Sequence, residues 1–226
     1  MRVVITGANR GIGLELARQL IARGDSVEAG ARDPEKAGEL RALGARVHQL
    51  DVSDASSVAA FANAVEGGID LVINNAGIGG GASNLRSIAE DLSLADAAHT
   101  LDVNALGPLR VSVALLPHLR RGSGKKLVHV TSGMGSITDN GSGGSYAYRM
   151  SKAALNMAAK TLAVDLRSEG ILSIVINPGW VQTDLGGSRA PTRVDESVRL
   201  MIERIDEATL EHTGEFVNYK GNRYPW

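Results

Sequence analysis

Thr6-Gly7-Ala8-Asn9-Arg10-Gly11-Ile12-Gly13 is the stretch on which the reading of this chain turns. It follows the apolar run Arg2–Thr6 and opens an amphipathic pattern over Gly11–Arg23. Glycines at such a junction let the backbone turn sharply and come close to a ligand, and the free N–H groups and dipole of a helix N-terminus attract a pyrophosphate. Taken alone, a glycine-rich strand-to-helix turn reads equally well as a tight connection. Its place directly after the first strand favours a dinucleotide.

Outward from this turn, strand-like runs recur at Ser26–Ala31, Ala45–Leu50, Ile69–Asn74, Lys125–Thr131 and Ile171–Asn177, with a weaker one at Glu215–Tyr219. Helical patterns lie between them at Pro34–Leu43, Asp54–Val65, Leu101–Leu119 and Tyr148–Ser168. Strands alternating with helices of these lengths predict parallel crossovers and an α/β doubly wound fold, its mostly parallel seven-stranded sheet covered by helices on both faces. Asp33-Pro34 reads as a helix cap followed by proline in the first turn, Ser53 or Asp54 as the cap of the next helix, and Arg23-Gly24 and Glu169-Gly170 as helix stops.

Composition agrees. The 226 residues suit one domain spanning 1–226, since no linker or repeat interrupts the pattern. With 24 Lys and Arg against 25 Asp and Glu, the formal charge is −1, which argues against a nucleic-acid partner. The absence of cysteine excludes disulfides, thiolate metal sites and a thiol nucleophile. No apolar run approaches the ~20 residues of a bilayer span, and the expectation is a soluble, cytoplasmic protein with no membrane partner. None of the five histidines has a partner at metal-ligand spacing, so no metal is expected; His99, His118 and His129 read as packing or surface residues. Arg120, Arg121, Lys125 and Lys126 read as a solvated basic turn.

The glycine spacing is G-x-x-x-G-x-G rather than the usual G-x-G-x-x-G, and further motifs follow in order: Asn74-Asn75-Ala76-Gly77, Asn104, Ser132, Tyr148 with Lys152, and Pro178-Gly179-Trp180-Val181-Gln182-Thr183-Asp184. Together they resemble the short-chain dehydrogenase/reductase family over nearly the whole chain. Tyr146–Asn156 and the ending Gly221–Trp226 are similar to its carbonyl-reductase-like branch of C-factor and sniffer proteins. The resemblance implies a Rossmann domain that binds a nicotinamide dinucleotide. It would use Gly7, Asn9, Arg10, Gly11, Ile12 and Gly13 at the phosphates, and Asp51 and Val52 at the adenine. Asn74, Ala76 and Gly77 would follow the fourth strand, and Pro178, Gly179, Val181 and Thr183 would lie at the nicotinamide end.

Which dinucleotide is a separate question. Counting twenty positions from Gly13 reaches Asp33, which taken naively means NAD. Asp33 precedes Pro34, however, and reads better as a cap. Ala31 stands where NAD-using relatives carry a carboxylate, whereas Arg32 and Arg10 stand where NADP-using relatives carry cations. Guanidinium groups pair well with a 2′-phosphate, so NADP(H) is the expected cofactor.

Tyr148 and Lys152 are four residues apart and share one helix face. A tyrosine ordinarily titrates near ~10. A neighbouring ammonium, together with the positive nicotinamide ring of the oxidised cofactor, is expected to favour the phenolate; a lowering by about three pH units corresponds to ~4 kcal/mol. By resemblance, Ser132 orients the substrate oxygen, Lys152 also holds the nicotinamide ribose, and Asn104 holds a water that bridges to Lys152. The implied reaction is reduction of a small-molecule ketone or aldehyde with Tyr148 as proton donor. The alternatives are an NAD-dependent alcohol or sugar dehydrogenase and a dinucleotide-binding signalling protein of C-factor type. Ser132 and Tyr148 are sixteen positions apart, longer than is usual in the family. The added length lies in Ile137–Ser145, so substrate walls are expected from Gly133–Ser145 and Asp184–Glu196, both irregular. Gly79-Gly80-Gly81 reads as flexible space near the substrate. The resemblance further implies a homodimer or homotetramer through the helices at 106–119 and 153–167.

Overall fold

The computed structural model describes residues 1–79 and 93–226. Gly80 and Gly81 therefore lie outside the described residues. Seven strands form one sheet: β1 (Arg2–Thr6), β2 (Ser26–Ala31), β3 (Arg46–Gln49), β4 (Leu71–Asn74), β5 (Lys126–Val130), β6 (Leu172–Asn177) and β7 (Phe216–Asn218). Their order is β3-β2-β1-β4-β5-β6-β7, and every neighbouring pair is parallel. The chain winds outward from β1 in one direction and from β4 in the other. The crevice beyond the carboxyl ends of β1 and β4 is thus the switch point where open α/β sheets bind ligands.

Side-chain alternation sorts the two cores. Val3 and Ile5 pack with Leu16, Ala17 and Leu20 of α1 (Gly11–Ala22) and with Val198, Met201 and Ile205 of α7 (Val194–Glu207). Val4 points to the opposite face, against Val58 and Phe61 of α3 (Ala55–Ala64) and Val111, Leu115 and Leu119 of α5 (Gly107–Arg121). This period of two is what a strand buried on both sides requires. α2 (Gly38–Ala42) is short and α4 (Leu94–Leu101) precedes α5, while α6 (Tyr146–Asp165) carries the Tyr-x-x-x-Lys pair.

The strands fall where the sequence predicts them to within two residues at either end, but several helices do not. The segment expected at 34–43 is a 3-10 turn, Pro34–Lys36, followed by α2. Asp33 occupies the cap position, yet its side chain makes no capping bond and pairs with Lys36 at 2.9 Å. Asp54 does cap α3, accepting from the Ser56 N–H. The segment expected from Leu101 begins at Leu94 and passes through a π-helical turn, Asp102–Leu106, before α5. Of the irregular wall expected over 184–196, Val194–Glu196 is instead the first turn of α7. The basic turn is used internally, with Arg120 bidentate on Glu169 and Lys126 donating to the Ile205 carbonyl at 2.7 Å. Among the described residues no helix is long and apolar enough to cross a membrane.

Candidate active site

The glycine turn is shaped by contact with β4. Gly7 has φ +63°, and a Cβ there would lie 2.8 Å from the Ala76 Cα. A Cβ on Gly13 would lie 2.3 Å from the Gly7 carbonyl oxygen, so Gly13 serves close packing and does not itself line the cavity. Asn75 staples the turn, its amide donating to the Thr6 and Gly7 carbonyls at 3.0 and 3.1 Å. The Thr6 hydroxyl accepts from the Asn75 and Ala76 N–H groups, both at 3.0 Å. The first turn of α1 has no side-chain cap and no acidic residue, which leaves its N–H groups for an anion.

Asn74 requires a correction. It is fully buried on the far side of β4, where its amide donates to Ser112 Oγ at 3.0 Å and lies 3.2 Å from His129 Nδ1. It does not line the cavity; Asn75, which the sequence reading passed over, does. Odd and even strand positions face opposite sides, so only one of the two asparagines can reach the site. His129 is buried in the same network, and burial, with the Lys152 charge, lowers it to about 4.

Beyond β2, exposed Arg32 borders the cavity and has no ion-pair partner among the described residues. Asp51 accepts from the Ser53 hydroxyl at 2.6 Å and its N–H at 2.9 Å. The Ser53 hydroxyl chiefly, with a smaller contribution from the Arg32 charge, holds the Asp51 carboxyl below its usual range. Arg10 is not a free phosphate ligand here: it reaches across the cavity to Asp184 at 3.2 Å, both side chains well exposed. Val52 packs under Gly107. Asn9, Gly11, Ile12, Ala76, Gly77, Pro178, Gly179, Val181 and Thr183 all border the cavity.

Ser132 follows β5 and caps the short turn Gly133–Gly135, its Oγ accepting from the Met134 N–H at 3.2 Å. α6 is fixed against this turn. The Thr131 hydroxyl donates to Asn156 Oδ1 at 2.6 Å, and the Asn156 amide donates to the Gly135 carbonyl at 3.3 Å. Asn156 is a positioning residue with no sequence signal beyond its place one turn after Lys152. Tyr148 and Lys152 share the inner face of α6, with Nζ 5.8 Å from the phenol centroid and donating to the Val130 carbonyl at 3.0 Å.

Burial opposes the expected acidity. It pushes the Tyr148 phenol up, only partly offset by its interaction with the Ser132 hydroxyl, and it lowers Lys152 to about 8. Both groups are desolvated, which disfavours the charged form of each. Asn104 lies in the π turn, a common device at functional sites. Its Oδ1 accepts from the Ile78 N–H at 2.8 Å, and its amide donates to the Ile78 carbonyl at 2.9 Å and Ser151 Oγ at 3.0 Å. A Cβ on Gly77 would lie 3.3 Å from Asn104 Oδ1 and 3.6 Å from Lys152 Nζ, so the two side chains flank that glycine.

Arg32, the glycine turn, Gly77, Ser132, Tyr148 and Lys152 border one cavity of about 1110 Å³, and Asn104, fully buried, lies behind its wall. A dinucleotide fits the cradle: its floor is glycine backbone that a side chain would fill, an uncapped helix start faces it, and a free guanidinium stands at one end. The other end is walled by Met134, Asp139, Arg149, Trp180, Leu185 and Tyr224, and His99, exposed as the sequence predicts, also borders it.

Comparison with known proteins is consistent with this geometry. The short chain dehydrogenase family model matches residues 1–193. The C-signal of Myxococcus xanthus is 50% identical over 168 residues, covering 74% of this chain and 99% of that protein. The carbonyl reductase Sniffer of D. melanogaster superposes with a TM-score of 0.92 at 31% identity, over 100% of this chain and 99% of the other. An NADPH-bound carbonyl reductase from chicken fatty liver superposes with a TM-score of 0.91 at 33% identity, over 100% and 98%.

Proposed function

This chain belongs to the short-chain dehydrogenase family, and on that premise we propose that it is an NADP(H)-dependent oxidoreductase that reduces a ketone or aldehyde, with Tyr148 as proton donor. The observation that carries the reading is the placement of Ser132, Tyr148 and buried Lys152 at one end of a cavity whose other end is a glycine cradle with Arg32, unpaired among the described residues. The NADPH-bound neighbour supports the choice of cofactor.

When bound, the reduced dinucleotide supplies a hydride to the carbonyl carbon. The rest follows from the chain's own groups. Met134 donates to Ser132 Oγ, and the serine hydroxyl, which lies against Tyr148, can turn its proton to the substrate oxygen. Tyr148, raised by burial, stays protonated at neutral pH and gives its proton to that oxygen as it gains charge. The phenolate that remains is stabilised by the Lys152 ammonium. One Lys152 proton is held by the Val130 carbonyl and two remain for a ribose hydroxyl and the phenol. Arg32, and Arg10 once released from Asp184, would hold the 2′-phosphate, and Asp51 and Val52 would border the adenine. Asn104 fixes the kinked helix behind Lys152.

A ketone and aldehyde panel followed by loss of NADPH absorbance tests this. We expect turnover with NADPH at least about tenfold faster than with NADH, given the phosphate pairing open to Arg32. Tight NADPH binding without turnover of any carbonyl would favour the second reading, a dinucleotide-binding signalling protein, to which the likeness to the C-signal gives support. Val113, Met157 and Val164, all well over half exposed on α5 and α6, support pairing of two copies through these helices, which sedimentation equilibrium checks.

A further inference from the structure

Residues 222–226 turn back along β7 and deliver an aromatic side chain to Gly133, the residue after Ser132. The Tyr224 N–H donates to the Phe216 carbonyl at 2.7 Å, and Arg223 bridges Val217 in antiparallel fashion. The Trp226 carbonyl accepts from the Thr138 N–H at 2.9 Å and the Ser136 hydroxyl at 3.3 Å, and the rings of Tyr224 and Trp226 both pack on Phe216. This places the Tyr224 hydroxyl over Gly133, the residue after Ser132, where a Cβ would come within 2.6 Å of it. The hydroxyl donates to Asp139 Oδ2 at 2.9 Å, in the long loop before Tyr148. Both side chains border the cavity, and Asp139 has no cation paired to it among the described residues.

The chemistry of this pair is one-sided. The single Tyr224 proton is committed to Asp139, so the phenol oxygen offers lone pairs to the cavity, and the carboxylate only accepts. The reacting end, by contrast, offers protons from Ser132 and Tyr148. We infer that Tyr224 and Asp139 are specificity residues which select carbonyl substrates carrying a hydrogen-bond donor, such as a hydroxyl, beyond the reacting carbonyl. The inference rests on the reductase reading above. A substrate with a donor satisfies the acceptor wall, whereas its capped analogue would set an apolar methyl group against two acceptors and displace the water on exposed Asp139.

The test compares kcat/KM for a series of hydroxyketones, including α-hydroxyacetophenone and its β-hydroxy homologue, with their methyl ethers. The wild-type protein should prefer the hydroxyketones by about tenfold or more. Tyr224→Phe keeps the ring and its packing on Phe216 but should lose most of that preference, through KM rather than kcat, with NADPH affinity unchanged. Asp139→Asn puts an amide donor on the wall and should shift preference toward the ethers, an effect a merely structural role would not give. Equal use of hydroxyketones and ethers by the wild type, or a preference that survives in Tyr224→Phe, overturns the inference while leaving the reductase reading intact. Absence of turnover with every ketone overturns the reductase reading and this inference with it.

Discussion

The two ends of the cavity are built by different means. The cradle end is backbone against backbone: Gly7 against Ala76, Gly13 against the Gly7 carbonyl, and the turn stapled by Thr6 and Asn75. The substrate end is side chain against side chain, and its partners come from distant parts of the chain, as with Asp139 and Tyr224, 85 residues apart. Backbone contact at this range tolerates only glycine, and so it writes itself into the sequence. Side-chain pairing across a cavity leaves each partner an ordinary residue.

Substitutions at matched residue types sharpen the contrast. Gly13→Val should have the largest effect: with a Cβ forced against the Gly7 carbonyl, NADPH affinity should fall more than about a hundredfold and stability by about 3 kcal/mol. Fluorescence titration and thermal melting read both. Next, Arg32→Asp replaces the free cation with an anion and should weaken NADPH about a hundredfold while sparing NADH, as parallel titrations would reveal.

The pH profile comes third. Lys152 titrates at about 8 in the folded chain against 10.5 ordinarily, so its charge is lost as pH rises through 8. If the ammonium is required, kcat/KM is flat below pH 8 and falls about tenfold per unit above it. Stability moves the other way. A buried lysine whose folded pKa is depressed disfavours the fold below pH 8, and that cost is relieved between about 8 and 10.5. Denaturant melts beside the kinetic profile would show activity and the Lys152 contribution to stability diverging. At the small extreme, Gly141→Ala in the substrate loop meets nothing within 4 Å and should leave kcat/KM within about twofold. A large loss there would erase the distinction between the two ends.

The same distinction explains what the sequence made legible. β1, β2 and the glycine turn were readable because periodicity and close approach each impose a residue type. Lys152 and Tyr148 were readable because the motif and the helical spacing agreed. Asn74 misled because a motif does not say which of two adjacent asparagines faces the cavity, and alternation in β4 turns it toward Ser112 and His129. α7 was missed although Val194, Val198, Met201, Ile202 and Ile205 carry a helical stripe, because its many charges and the irregular run before it resembled loop. The burial that opposes acidity of the phenol was hidden for another reason. Spacing gave the neighbour's charge but not the burial of both groups. The ending Gly221–Trp226 signalled a branch of the family but no role for Tyr224, whose contact with Asp139 exists only once this segment is folded against the loop before α6.

Tyr148→Phe tests the central claim most directly, because it removes one proton from the substrate end and touches nothing in the cradle. With NADPH and a carbonyl substrate in single-turnover mixing, the account predicts oxidation slowed by about a thousandfold or more, with the NADPH dissociation constant within about twofold of the wild type. NADPH oxidation at the wild-type rate in that variant would contradict it.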